Sequence, residues 1–116
     1  MTLKEISKIL DAEVINNSIN MDTDIKSACS ADMMSTVMYY HTAKSLLITG
    51  LAQPSVIRTA EMAGITAIVF VLNKKPDAAI VELAKTNKIP LLTTPYCMYT
   101  ASGKLFEAGM PSCLGK

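Results

Sequence analysis

Ser45-Leu46-Leu47-Ile48-Thr49 is followed by a turn at 50–53, by Pro54-Ser55-Val56-Ile57-Arg58-Thr59-Ala60-Glu61-Met62-Ala63-Gly64, and then by Ala67-Ile68-Val69-Phe70-Val71-Leu72. The two flanking runs are apolar on consecutive residues, the pattern of strands covered on both faces. Between them, Val56, Ile57 and Ala60 recur at helical spacing, with proline at the first helical position and glycine just past the last. The stretch is therefore strand, helix, strand, and a helical crossover joins strands that run parallel. A third run, Ile89-Pro90-Leu91-Leu92-Thr93, repeats the step. Before it, Asp77 opens a helix whose buried stripe is Ile80, Leu83 and Ala84. From Lys44 to Gly109 the alternation specifies a three-layer α/β/α domain around a mostly parallel sheet.

Outside this repeat the signals are weaker. At the N-terminus Thr2 and Glu5 form a capping-box pattern ahead of Ile6, Ile9 and Leu10, which with Leu3 share one face of a helix. Glu13 to Asn16 reads as a short strand, and Asn17 to Asp24 as a polar loop. Ile25 to Cys29 reads as a further strand, with Ser30 capping a helix from Ala31 to Tyr40 that places Asp32 in its first turn and His41 at its end. A final helix from about Tyr96 to Ala108 ends at Gly109. The expected organisation is one domain over residues 1–110 and a C-terminal tail at 111–116.

Composition narrows the function. With 116 residues, half of them hydrophobic, the chain suits one core and is short for two. Eleven basic and ten acidic side chains give a net charge of +1, no electrostatic footprint for a nucleic-acid backbone. No apolar run approaches the roughly 18 residues of a membrane span, and the first ten residues carry Lys4, Glu5 and Lys8, unlike a signal peptide. A cytoplasmic location, away from membranes, is expected. Cys29, Cys97 and Cys113 are widely spaced, with His41 the single histidine. They read as reduced thiols, with no metal site and no cofactor.

In an open parallel sheet, ligands meet the carboxyl ends of the strands. Four turns lie there: 30–32, 50–55, 73–76 and 93–96. The candidate ligand-binding residues are Ser30, Asp32, Thr49, Gly50, Gln53, Ser55, Thr94 and Tyr96, whose hydroxyls and amides suit a phosphate-bearing ligand. Neither a P-loop nor a Rossmann glycine fingerprint is present. A cysteine nucleophile at Cys29 or Cys97 would need a base, an orienting group and an oxyanion site. His41 is read as a helix cap, and no catalytic residue is assigned.

The chain resembles a free-standing DRTGG domain, the module attached to some phosphotransacetylases and regulatory pyrophosphatases. The likeness rests on Leu3-Lys4-Glu5-Ile6 through Leu10, on Ala28-Cys29-Ser30-Ala31-Asp32-Met33-Met34, on Leu46-Leu47-Ile48-Thr49-Gly50, and on Ile89-Pro90-Leu91-Leu92-Thr93-Thr94-Pro95-Tyr96. It implies a fold similar to the N-terminal domain of HPr kinase and a regulatory or protein-interaction role without catalysis. It also implies a homodimer and a partner enzyme or signalling protein encoded nearby; as a second reading, the residues of the carboxyl-end turns suit a small-molecule sensor of a nucleotide-type ligand. The polar groups that name the family are replaced here. Leu51-Ala52 follows Gly50, Leu72-Asn73-Lys74 stands near the place of Thr-Gly-Gly, and Cys97-Met98 follows Tyr96 where Asp-Thr is usual.

Overall fold

In the computed structural model, which describes residues 1–16, 20–40 and 43–115, the chain runs α1 (Leu3–Ile9), β1 (Glu13–Val14), β2 (Ser27–Ser30), α2 (Met34–Tyr39), β3 (Ser45–Thr49), α3 (Pro54–Ala63), β4 (Ala67–Phe70), α4 (Ala78–Thr86), β5 (Leu91–Thr93) and α5 (Met98–Glu107). The five strands form one sheet in the order β1-β5-β4-β3-β2. Strands β2 to β5 pair in parallel and β1 pairs antiparallel with β5. The expected α/β architecture with a mostly parallel sheet is present.

Every residue of β3, β4 and β5 is buried. Side chains alternate across a strand, so consecutive apolar residues feed two cores. Leu46 and Ile48 join Leu3, Ile6, Leu10, Ala101 and Leu105 beneath α1 and α5. Leu47 and Ile68 join Val37, Val56, Ile57, Ala60, Ile80 and Ala84 beneath α2, α3 and α4. Removing one such side chain from water is worth about 1.5–3 kcal/mol, which explains why both helical layers stay docked.

Local signals set the helix ends. The Thr2–Glu5 capping box is formed reciprocally. Pro54 occupies the first turn of α3 and Gly64 closes it in the left-handed region at φ 75°. The Asp77 carboxylate accepts from the Ile80 N–H at 3.1 Å.

Several elements differ from expectation: β2 begins at Ser27, not Ile25, β4 ends at Phe70, not Leu72, and β5 begins at Leu91, not Ile89. The helix expected from Ala31 begins at Met34, and Ser30 ends β2 instead of capping α2. The Ala31 N–H donates to the Ile48 carbonyl at 3.1 Å, so strand-like pairing with β3 continues into the span expected to be helical. The last helix starts at Met98, two residues after Tyr96. Residues 110–115 return to the open edge of β2: Ala28 N–H donates to Pro111 O at 3.0 Å and Cys113 N–H to Ala28 O at 3.1 Å. Met110 is buried in the α1/α5 core. The reading of His41 as a helix cap, and residues 17–19 of the expected polar loop, lie outside the described residues.

Where β1 ends, a side chain takes over the work of the ladder. Asn16 is buried; its Nδ2 donates to Ile89 O at 2.9 Å and its Oδ1 accepts from Leu91 N–H at 2.8 Å. Asn16→Ala leaves both backbone groups without this partner and should lower unfolding stability by about 2–4 kcal/mol, read as a fall in the urea midpoint at constant slope.

Candidate functional site

At the carboxyl ends of β2, β3 and β4 the structure gathers three of the expected site residues around one carboxylate. Asp32 Oδ1 accepts from Thr49 Oγ1 at 3.0 Å and from Gly50 N–H at 2.7 Å. Thr49 Oγ1 in turn accepts from Leu51 N–H at 3.2 Å, and Lys74 Nζ donates to the Gly50 carbonyl at 2.9 Å. One carboxylate oxygen, a threonine hydroxyl and a lysine are thus joined to the backbone of the turn after β3. A carboxylate aimed at two donors also sets the wrong sign for a phosphate at that spot, although Lys74 stands beside it.

The other expected residues go elsewhere. Thr94 is buried, and its hydroxyl donates to Leu10 O at 2.6 Å, tying the end of β5 to α1. Tyr96 presents its carbonyl to Leu72 N–H at 2.9 Å, while Lys104 Nζ lies 4.8 Å from the centre of its ring. Gln53 and Ser55 are exposed at the start of α3. Ser30 points to the opposite layer from α2, where its hydroxyl meets that of Ser102 on α5 at 2.6 Å.

Ser30 thereby lines a cleft of about 710 Å³ between β2, α5 and the C-terminal segment. Its walls include Tyr40, Tyr99, Ser102, Lys104 and Leu114. Most of the wall-forming residues belong to α5 and to 110–114, which the sequence presents as a helix and a tail; no local motif marks them as neighbours of β2. Around the cleft, large apolar side chains face solvent: Tyr99 is 88% exposed, Phe106 67% and Leu114 44%.

The thiols divide sharply. Burial pushes Cys29 up to about 12, the neighbouring Cys113 adding to the effect, and burial raises Cys113 as well. Cys97 is exposed, and the Thr100 hydroxyl at 3.4 Å lowers its thiol below the ordinary value. A thiolate at Cys29 is therefore inaccessible near neutral pH, whereas the exposed Cys97 thiol is lowered by the Thr100 hydroxyl and by backbone N–H groups at the start of α5. Among the described residues no group of three His, Cys, Asp or Glu side chains could hold a metal ion. No described helix is long and apolar enough to cross a membrane.

The turn after β4 carries an unusual backbone. Leu72 and Asn73 both lie in the left-handed region, at φ 58° and 55°. Leu72 N–H donates to Tyr96 O at 2.9 Å and Asn73 N–H to Thr94 O at 2.8 Å, so the strand-end loop of β5 clamps the turn.

The sequence profile of the DRTGG domain matches residues 5–108. Among solved structures, one similar to this chain is described as the CBS and DRTGG domains of the regulatory region of Clostridium perfringens pyrophosphatase, complexed with the activator diadenosine tetraphosphate. The TM-score is 0.68 at 21% identity, over 90% of this chain and 45% of that one. The chain thus spans under half the length of that structure. No curated protein matches the sequence.

The turn at 72–73 overlaps the Thr-Gly-Gly place of the family resemblance, with Leu72 near the threonine and Asn73 near the first glycine, and both residues hold the backbone that glycine adopts most easily. A leucine in the left-handed region carries a penalty of roughly 1–2 kcal/mol. Leu72→Gly should accordingly raise stability by up to about 1 kcal/mol, the relief being partly offset by the greater chain entropy of glycine when unfolded. Leu72→Val, branched at Cβ, should lower it by about 1 kcal/mol. Paired urea titrations check both signs.

Proposed function

The chain belongs to the DRTGG domain family, and from that premise we propose that it is a non-enzymatic regulatory domain that acts through protein contact, working as a homodimer. The observation that carries this reading is the solvent-facing surface of α5. Tyr99, Gly103 and Phe106 recur at i, i+4 and i+7 and so share one helical face. All three are exposed. A side chain at Gly103 would meet no atom within 4 Å, so the space over the middle of this face is open for another helix to approach closely. A two-fold dimer needs a patch that complements itself, and two aromatic rings flanking a glycine on one helix form such a patch.

Light scattering of the purified chain should give twice the 12.5 kDa chain mass, and Tyr99→Glu with Phe106→Glu should return it to the monomer while circular dichroism stays unchanged. A monomer at high protein concentration contradicts the dimer.

A second reading, a nucleotide-type ligand, is favoured by one feature of the structure. The cleft of about 710 Å³ falls within the roughly 300–1,000 Å³ of small-molecule sites, with Lys104 and the Ser30–Ser102 hydroxyls on its wall. The similar pyrophosphatase regulatory region was solved with a dinucleotide activator, which makes adenine nucleotides the first compounds to try. At a hundred times its dissociation constant such a ligand stabilises the fold by ~2.7 kcal/mol, a rise in melting temperature on the order of 10 °C. A panel of mono- and dinucleotides that produces no shift removes this reading and leaves the dimer standing.

A further inference from the structure

The segment after α5 places two cysteines side by side. Ala28 pairs in parallel with Ser112, through Pro111 O on one side and Cys113 N–H on the other. Continued by one residue, that register sets Cys29 opposite Cys113. Adjacent strands lie about 4.7–4.9 Å apart, within the roughly 4.4–6.8 Å that a disulfide spans between Cα atoms. The side chains also leave on the same side of the sheet. Ala28 packs toward the α1/α5 core, so Cys29 turns to the other face, where it belongs to the α2/α3/α4 core and Cys113 packs against that same core. Both thiols are free.

We infer that Cys29 and Cys113 form a reversible disulfide that fastens the C-terminal segment to the edge of β2, making this wall of the cleft a redox-controlled element. The bond would join residues otherwise held together at this edge by two backbone hydrogen bonds. The oxidant is a small disulfide. Cys113, the more exposed of the two, loses its proton to water, and its sulfur attacks one sulfur of the small disulfide. That step releases one small thiolate and leaves a mixed disulfide. The sulfur of Cys29, giving up its own proton, then attacks the Cys113 sulfur, and the second small thiol departs. The two cysteines lose two electrons; the small disulfide gains them and leaves as two thiols.

The raised protonation range of both thiols makes the pair slow to react, so it stays reduced until an oxidising pool persists. Cys97, exposed and with a lowered thiol, reacts first with any probe but has no partner across the sheet. It serves as an internal control.

The test is incubation of the full chain with glutathione disulfide, followed by non-reducing peptide mapping and thermal melts. The expected product is a chain lighter by two hydrogens in the Cys97→Ser variant, with the peptide of Cys29 linked to that of Cys113. Closing a loop of this length should raise the melting temperature on the order of 10 °C, and dithiothreitol should reverse the rise. Cys113→Ser should show neither the link nor the rise. Oxidation that yields only Cys97 adducts or Cys97-linked dimers overturns the inference, as does a Cys29–Cys113 link that lowers the melting temperature.

Discussion

Leu47 and Ile48 are neighbours in the chain and belong to different cores, one beneath α2, α3 and α4 and the other beneath α1 and α5. That division is the constraint on which the rest of the molecule depends. A strand with apolar residues at every position is stable only where both faces are covered, and β3, β4 and β5 all have this character. Two helical layers are therefore obligatory, and the chain must supply both from five short helices. Three go to one face in sequence, because β2, β3, β4 and β5 are spatial neighbours in chain order and each crossover helix packs beside the last. The other face is left to α1 and α5.

This unequal division explains where the open space lies. The sheet never reverses its winding between β2 and β5, so it lacks the diverging pair of crossovers that opens a crevice at the carboxyl edge of a doubly wound sheet. Its carboxyl-end turns close on themselves instead, with Asp32 held by Thr49 and Gly50 and Lys74 capping the Gly50 carbonyl. On the two-helix face α5 contacts β3 and α1, and the cleft lies between it, β2 and the returning segment 110–114. The cavity is a consequence of covering four parallel strands with two helices, and no motif in the sequence encodes it directly.

Much of the scaffold was legible because the signals were local. The Thr2–Glu5 box, Pro54 with Gly64, the Asp77 cap and the consecutive apolar strands each act within a few residues of themselves, and the structure places them as the spacing predicts. The site was less legible because its bonds join distant residues. Asp32 reads as a first-turn helix residue until Gly50, eighteen positions away, supplies a better donor. Thr94 reads as a ligand hydroxyl, yet Leu10 O sits over it across 84 residues. The segment 110–115 has neither strand periodicity nor helical spacing. Its place is set by an unpaired strand edge that the sequence does not display.

The turns that distinguish this chain within its family show how backbone and chemistry separate. At 72–73 the left-handed conformation persists although leucine and asparagine occupy it, because Tyr96 O and Thr94 O accept both of its amides. Tertiary hydrogen bonds fix the path of the chain there more firmly than residue type does, so a substitution can remove a side-chain function without moving the loop. The same logic applies at 50–51 and 96–97, where strand ends and the start of α5 hold the backbone. The family's fold accordingly persists with other residues at these turns. The α5 face, where Tyr99 and Phe106 are exposed beside the cleft, is built from residues that the family name does not mention.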